Sequence, residues 1–195
     1  MSMRAIPIVT LAALVAACDG DATAPPIRLA AGEVHVATFA DGWEGWTARY
    51  DRLPSGEASA RLRGDLAAYE PACVWLEAAN RSDAVRQWVQ RPFVIDARDQ
   101  PVEVRVAFDI GAGLGLESIL TAIAFVRIRG EPLEIQRLAP IGSSDYNPQP
   151  QHFVFVRALE AGARAAVTVG AGYTSGIEIR QGTCVDNVTV EVVPL

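Results

Sequence analysis

From residue 33 onward, apolar and polar positions alternate in short runs. The clearest run is Val102-Glu-Val-Arg-Val-Ala-Phe-Asp-Ile110. Its even-numbered positions are all apolar, while Glu103, Arg105 and Asp109 fall on the other side. A period of two belongs to a strand with one face in a core. Shorter stretches with the same character are Val34 to Thr38, Trp46 to Tyr50, Ala58 to Arg63, Cys73 to Ala78 and Val85 to Val94. Ile119 to Ile128 is more uniformly apolar, which predicts a central strand. Leu133 to Leu138, Phe153 to Leu159, Ala165 to Gly170 and Thr183 to Val193 complete the set. Pro54-Ser-Gly, Asp99-Gln-Pro, Gly130-Glu-Pro, Gly142-Ser-Ser-Asp and Gly176 punctuate them as turns. Such a series predicts one all-β domain, an antiparallel β-sandwich or a barrel. A helix over Ser82 to Gln90 is disfavoured by Pro92 and its β-branched neighbours.

The first residues follow another pattern. Arg4 precedes an apolar run from Ala5 to Ala17, too short to span a bilayer as a helix and of the length of a secretory signal core. The run ends in Leu14-Val15-Ala16-Ala17-Cys18, which resembles the bacterial lipobox. That resemblance implies cleavage of residues 1–17, acylation of Cys18, and attachment to the bacterial cell envelope through acyl chains. Residues 18–32, with paired prolines and small polar side chains, then read as a flexible tether, and 33–195 as the folded domain. Asp19 resembles an inner-membrane retention signal of some bacteria.

There are three cysteines, 18, 73 and 184. With Cys18 acylated, an even pair remains in an exported chain, and a disulfide between Cys73 and Cys184 is expected; two buried thiols are the alternative. Cys184 is in phase with Val188, Val190 and Val192, which predicts a bond inside the sandwich.

The net charge is −6 and every basic residue is Arg. No basic stripe stands out along the chain, so neither nucleic acid nor an anionic membrane surface is expected as an electrostatic partner.

Phe39-Ala-Asp-Gly-Trp-Glu-Gly-Trp46 and Cys184-Val-Asp-Asn-Val-Thr-Val190 resemble the opening and closing segments of galactose-binding-like jelly rolls. That is the fold of many carbohydrate-binding modules. Gln90-Arg-Pro-Phe-Val-Ile95 is similar to the segment leading into a central strand of that fold. The resemblance implies a jelly roll, and a non-catalytic role in binding a glycan or other extended polymer. It also implies a structural Ca²⁺ site at Asp186 and the turn bearing Asp41, although Ala40 stands where many relatives place an acid. Read without the resemblance, Asp186 is an acid at a strand end that accepts backbone N–H bonds.

Sugar-binding modules stack aromatic rings on pyranose faces. Trp46, Trp75 and Trp88 lie in predicted strands, where core packing is the expectation. Trp43, Tyr69, Tyr146 and Tyr173 lie near predicted turns and are the candidate ligand contacts. Catalysis has little support. His35 and His152 are the only histidines, no nucleophile elbow occurs, and Ser143-Ser-Asp is turn chemistry. Gly111-Ala-Gly-Leu-Gly lacks the following helix that a phosphate cradle needs. The alternatives to glycan binding are docking on an envelope protein and, third, a hydrolase whose carboxylates meet only in space.

Mass spectrometry of the mature protein is expected to find Cys18 first and diacylated, and Cys18→Ala to abolish the lipid. An unmodified Cys18, or cleavage elsewhere, would overturn the lipobox reading.

Overall fold

The computed structural model describes residues 24–51, 58–64, 72–79, 85–113, 120–141, 150–175 and 180–195. Cys18, Tyr69 and Tyr146 lie outside them. Among the described residues there is no helix; two sheets pack face to face in a jelly-roll sandwich.

Twelve strands follow in order: β1 (Ile27–Ala30), β2 (Val34–Ala37), β3 (Thr47–Asp51), β4 (Ala58–Arg63), β5 (Cys73–Ala79), β6 (Val85–Ala97), β7 (Val102–Gly113), β8 (Leu120–Ile128), β9 (Gln136–Pro140), β10 (Gln151–Leu159), β11 (Ala163–Ser175) and β12 (Arg180–Pro194). The first sheet runs β1-β6-β11-β8-β9, with β3 also on β6; the second runs β10-β7-β12-β5-β4, with β2 also on β12. All pairs are antiparallel except β1 with β6. Within the 18–32 segment expected as a tether, Ile27–Ala30 pairs with Phe93–Asp96 and buries Leu29, and residues 18–23 lie outside the described residues. Residues 85–90, the disfavoured helix, open β6.

The core is built as the alternation predicts. Val102, Val104, Val106, Phe108 and Ile110 of β7 face Val89, Phe93 and Ile95 of β6 and Val167, Val169 and Ala171 of β11 within one buried cluster. A valine or phenylalanine fully removed from water contributes roughly 1.5–3 kcal/mol, so these central strands dominate stability. Trp46 joins this core, edge-on to Phe39 and Phe93.

The last strand does not keep one phase. Asp186 pairs with Asp109, but Thr189 pairs with Ala107, so one extra residue sits in β12 between them. Asn187 takes the left-handed conformation there, at φ 49°, which Asn tolerates better than most side chains. A bulge of one residue exchanges the two faces of a strand. Val188, Val190 and Val192 thus face the core, while Cys184 and Asp186 face outward from the second sheet.

The Cys73–Cys184 disulfide consequently exists, with a Cα separation of 5.7 Å, but not inside the sandwich. The expectation of an interior bond carried the phase of the valines through a bulge that reverses it. The bond joins β5 to β12 on the outer face, where both sulfurs are buried with Trp75 in a cluster of their own. It closes a separation of 111 residues. Removing it is expected to lower unfolding stability in urea by up to ~4–5 kcal/mol, the chain-entropy value for a loop of this size. Because the bond lies outside the main core, Cys73→Ala/Cys184→Ala should keep the native circular-dichroism spectrum; loss of the β signal would contradict this placement.

Candidate functional site

The two outer faces of a sandwich are where its side chains meet solvent and ligands. Each outer face here carries one tryptophan beside a glycine, and the Trp75 ring lies directly over Gly182. Trp88 and Trp75 were expected in the core, but each is one residue out of phase with its strand's inward set. Trp88 lies between inward-facing Gln87 and Val89, and Trp75 between Val74 and Leu76. A Cβ on Gly172 would run into the β6 backbone and Trp88, and one on Gly182 would run into the Trp75 ring. Each indole N–H donates to the side chain two residues along its strand: Trp88 to Gln90 Oε1 at 2.9 Å, Trp75 to Glu77 Oε2 at 3.2 Å. The Arg63 guanidinium lies 4.6 Å above the Trp75 ring.

The face of the first sheet is the broader platform. Its register sets three rows across the strands. One is Arg49–Trp88–Gly172–Ile123–Arg137, across β3, β6, β11, β8 and β9. Beside it run Thr47–Gln90–Gly170–Phe125 and Asp51–Arg86–Thr174–Thr121. Phe125 covers Gly170 and meets Trp88 edge-on at 6.1 Å. Arg86 forms a two-pronged ion pair with Asp51. The platform thus alternates rings with guanidinium, amide, hydroxyl and carboxylate groups. Trp88 is only 5% exposed and Phe125 1%, so both rings are buried and the accessible groups are the polar side chains around them.

Further along the same strands the face opens into a cleft of about 500 Å³. Its floor is Pro92, Val94, Ala166 and Thr168, and its walls include Arg127 and Arg129.

The residues singled out from sequence are not gathered here. Trp43 is half-buried and packs on the core beneath the β2–β3 turn. Tyr173 corrects an expectation. It was placed near a turn, but β11 continues to Ser175, and the ring is fully buried between the sheets. Its hydroxyl donates to Gln87 Oε1 at 2.6 Å, and burial pushes its pKa well above the ordinary phenol value. A ring so enclosed has no face for a sugar.

The Ca²⁺ donor set does not fit either. Asp41 is exposed, Asp186 is 2% exposed, and among the described residues no three acidic, His or Cys side chains gather to hold a metal. Glu44, the other acid of the turn, interacts with Arg91, whose guanidinium lies against Gly45. An arginine thus already supplies positive charge beside the turn. Asp186 instead accepts the Asn187 N–H at 2.7 Å. Across the bulge, Asp109 accepts from Asn187 Nδ2 and pairs with His152 Nδ1, both at 2.8 Å.

Burial pushes the Asp186 carboxyl up to about 6; Asp109 and Glu44 add to the rise, and the Asn187 N–H opposes it. The ordinary value is 3.8. The folded state therefore holds this proton more tightly than the unfolded one, and stability falls as pH rises between those two values. Above about 6 the loss is complete. Asp186→Asn keeps the acceptor without the charge. It is expected to raise the melting temperature at pH 8, by about 2–4 °C per kcal/mol relieved, and to flatten the acid-side slope. A lower melting temperature at pH 8 would contradict the assignment.

No family model matches the sequence, and no curated protein matches it. Solved structures do. TmCBM61 in complex with β-1,4-galactotriose is 9% identical, with a TM-score of 0.50 over 80% of this chain and 94% of that one. The CBM22-1 xylan-binding domain of Paenibacillus barcinonensis Xyn10C is 14% identical, with a TM-score of 0.48, covering 86% and 99%. The family 11 carbohydrate-binding module of Clostridium thermocellum with a β-1,3-1,4-mixed-linked tetrasaccharide is 11% identical, with a TM-score of 0.48, covering 85% and 99%. At these identities the likeness is one of fold.

Proposed function

We propose that this chain is a non-catalytic glycan-binding module, held on the bacterial envelope by acyl chains on Cys18. The observation that carries the reading is the outer face of the first sheet. There Arg49, Arg86, Gln90 and Arg137 present polar groups around a buried centre of rings and glycines, and the face continues into a cleft lined by Pro92, Val94 and Ala166. Sugars are recognised by this mixture: hydroxyls pair with charged and amide groups, and C–H faces rest on apolar surface. The sandwich it shares with TmCBM61, which was solved with a galactotriose, supports the same class of ligand.

Docking on an envelope protein has weaker support. The exposed valines of the second sheet lie at opposite edges, Val34 and Val36 on β2, Val154 and Val156 on β10. Between them stand Thr189, Ala107, Glu191 and Arg105, so the apolar surface is broken. A hydrolase has less. The raised carboxyl of Asp186 is buried and borders none of the described clefts.

Affinity electrophoresis of residues 19–195, which hold every described strand and the disulfide, tests the proposal. Retardation is expected in gels containing at least one soluble plant or bacterial polysaccharide. Gln90→Ala/Arg137→Ala, assayed well below its unfolding temperature, should weaken it about tenfold, the worth of roughly one lost charge-assisted hydrogen bond, and should lower thermal stability because the Trp88 N–H loses its acceptor. Absence of retardation across neutral and acidic polysaccharides, or full binding by the double variant, would overturn the assignment of this face.

A further inference from the structure

We infer that the cleft end of this face binds a carboxylate-bearing polysaccharide, one built on uronic acids; the inference rests on the glycan-binding reading above. The register places its groups. Arg127 stands opposite Thr168, which stands opposite Pro92. One step along, the Arg129 N–H donates to Ala166 O at 2.8 Å, Ala166 pairs with Val94, and Val94 pairs with Arg28. Two arginines thus bracket a two-residue apolar floor, with their Cα atoms about 14 Å apart, three strand spacings. Arg127 adds a third guanidinium one strand repeat, about 7 Å, from Arg129.

The protein as a whole carries a net charge of −6, yet this region has an arginine surplus. Its acids are already matched. Asp96 accepts from Arg98 at 2.9 Å and Arg164 at 3.1 Å, which hold its carboxyl well below the usual range. Glu131 accepts from Arg157 at 2.8 Å. Arg28, Arg127 and Arg129 carry no ion pair among the described residues, and Arg28 and Arg129 are exposed. Guanidinium forks match carboxylates in two-pronged geometry.

The spacing selects the ligand. A single phosphate needs donors that converge on one point, whereas Arg28 and Arg129, three strand spacings apart in the register, set positive charge at intervals along the floor. A chain with a carboxylate on successive sugars presents charges at intervals, with C–H faces between them to rest on Val94, Ala166 and Pro92. Such a chain would run across the strands.

The test compares residues 19–195 on polygalacturonate and alginate with the same polymers after carboxyl reduction, and on vesicles containing anionic phospholipid. Binding to a uronate polymer is expected, with a loss of about tenfold or more on carboxyl reduction and a similar loss in Arg127→Ala/Arg129→Ala. Arg105→Ala, on the opposite face, should bind as the wild type does. The reduction arm uses unaltered protein, so it decides the question even if the double variant fails to fold. Equal binding to acidic and reduced polymers would overturn the uronate inference and leave glycan binding standing. Binding to vesicles but to none of these polymers would overturn the uronate inference, assigning the arginines to lipid headgroups. Binding to none would overturn the uronate inference, while glycan binding is decided by the wider series of neutral and acidic polysaccharides above.

Discussion

β12 runs through the middle of the second sheet, between β7 on one side and β5 and β2 on the other. Each of its residues must face either the core or the surface, and the bulge at Asn187 decides which. Before it, Val185 faces inward and Cys184 and Asp186 outward; after it, Val188, Val190 and Val192 fill the core. Without the extra residue, either the valines or Val185 would turn to solvent. The outer position of the disulfide and the raised Asp186 carboxyl follow from this one irregularity. So does the use of Asn187 to reach Asp109.

The two sheets are also tied by a polar link that the apolar core encloses. Tyr173 donates to Gln87, and Gln87 Nε2 donates to the Glu77 carbonyl of the other sheet at 3.1 Å. Buried polar groups are tolerated when they are satisfied, and leaving one unpaired costs about 1–3 kcal/mol. Gln87 therefore fixes how β6 sits over β5 at the end of the sandwich nearest the Trp88 platform.

The glycines of β11 shape the platform. Gly170 lets the Phe125 ring lie low on the sheet, and Gly172 leaves room for the β6 backbone at Gln87 and Trp88. A side chain at Gly170 would displace the Phe125 ring, and one at Gly172 would run into the β6 backbone. Beyond the rings, Ala166 and Val94 keep the floor low, and the arginines rise at its sides. One sheet face thus joins an aromatic, hydrogen-bonding half to an apolar, cationic half.

β7 was legible in the sequence because local alternation specifies a half-buried strand, and β8 because its uniformly apolar run marks a central one. The even positions of 102–110 all face the core. The pairing of Cys73 with Cys184 was legible by counting. What local pattern does not contain is register between distant strands. Hence the outward turn of Trp75, Trp88 and Cys184, the burial of Tyr173, and the addition of Ile27–Ala30 to a sheet became visible only in the folded chain. The same holds for the candidate site. Arg28, Val94, Arg129 and Ala166 are scattered over a hundred residues, and no spacing connects them. They meet because hydrogen-bonded ladders align residues by strand position rather than by sequence separation, which is a decision only the tertiary structure makes.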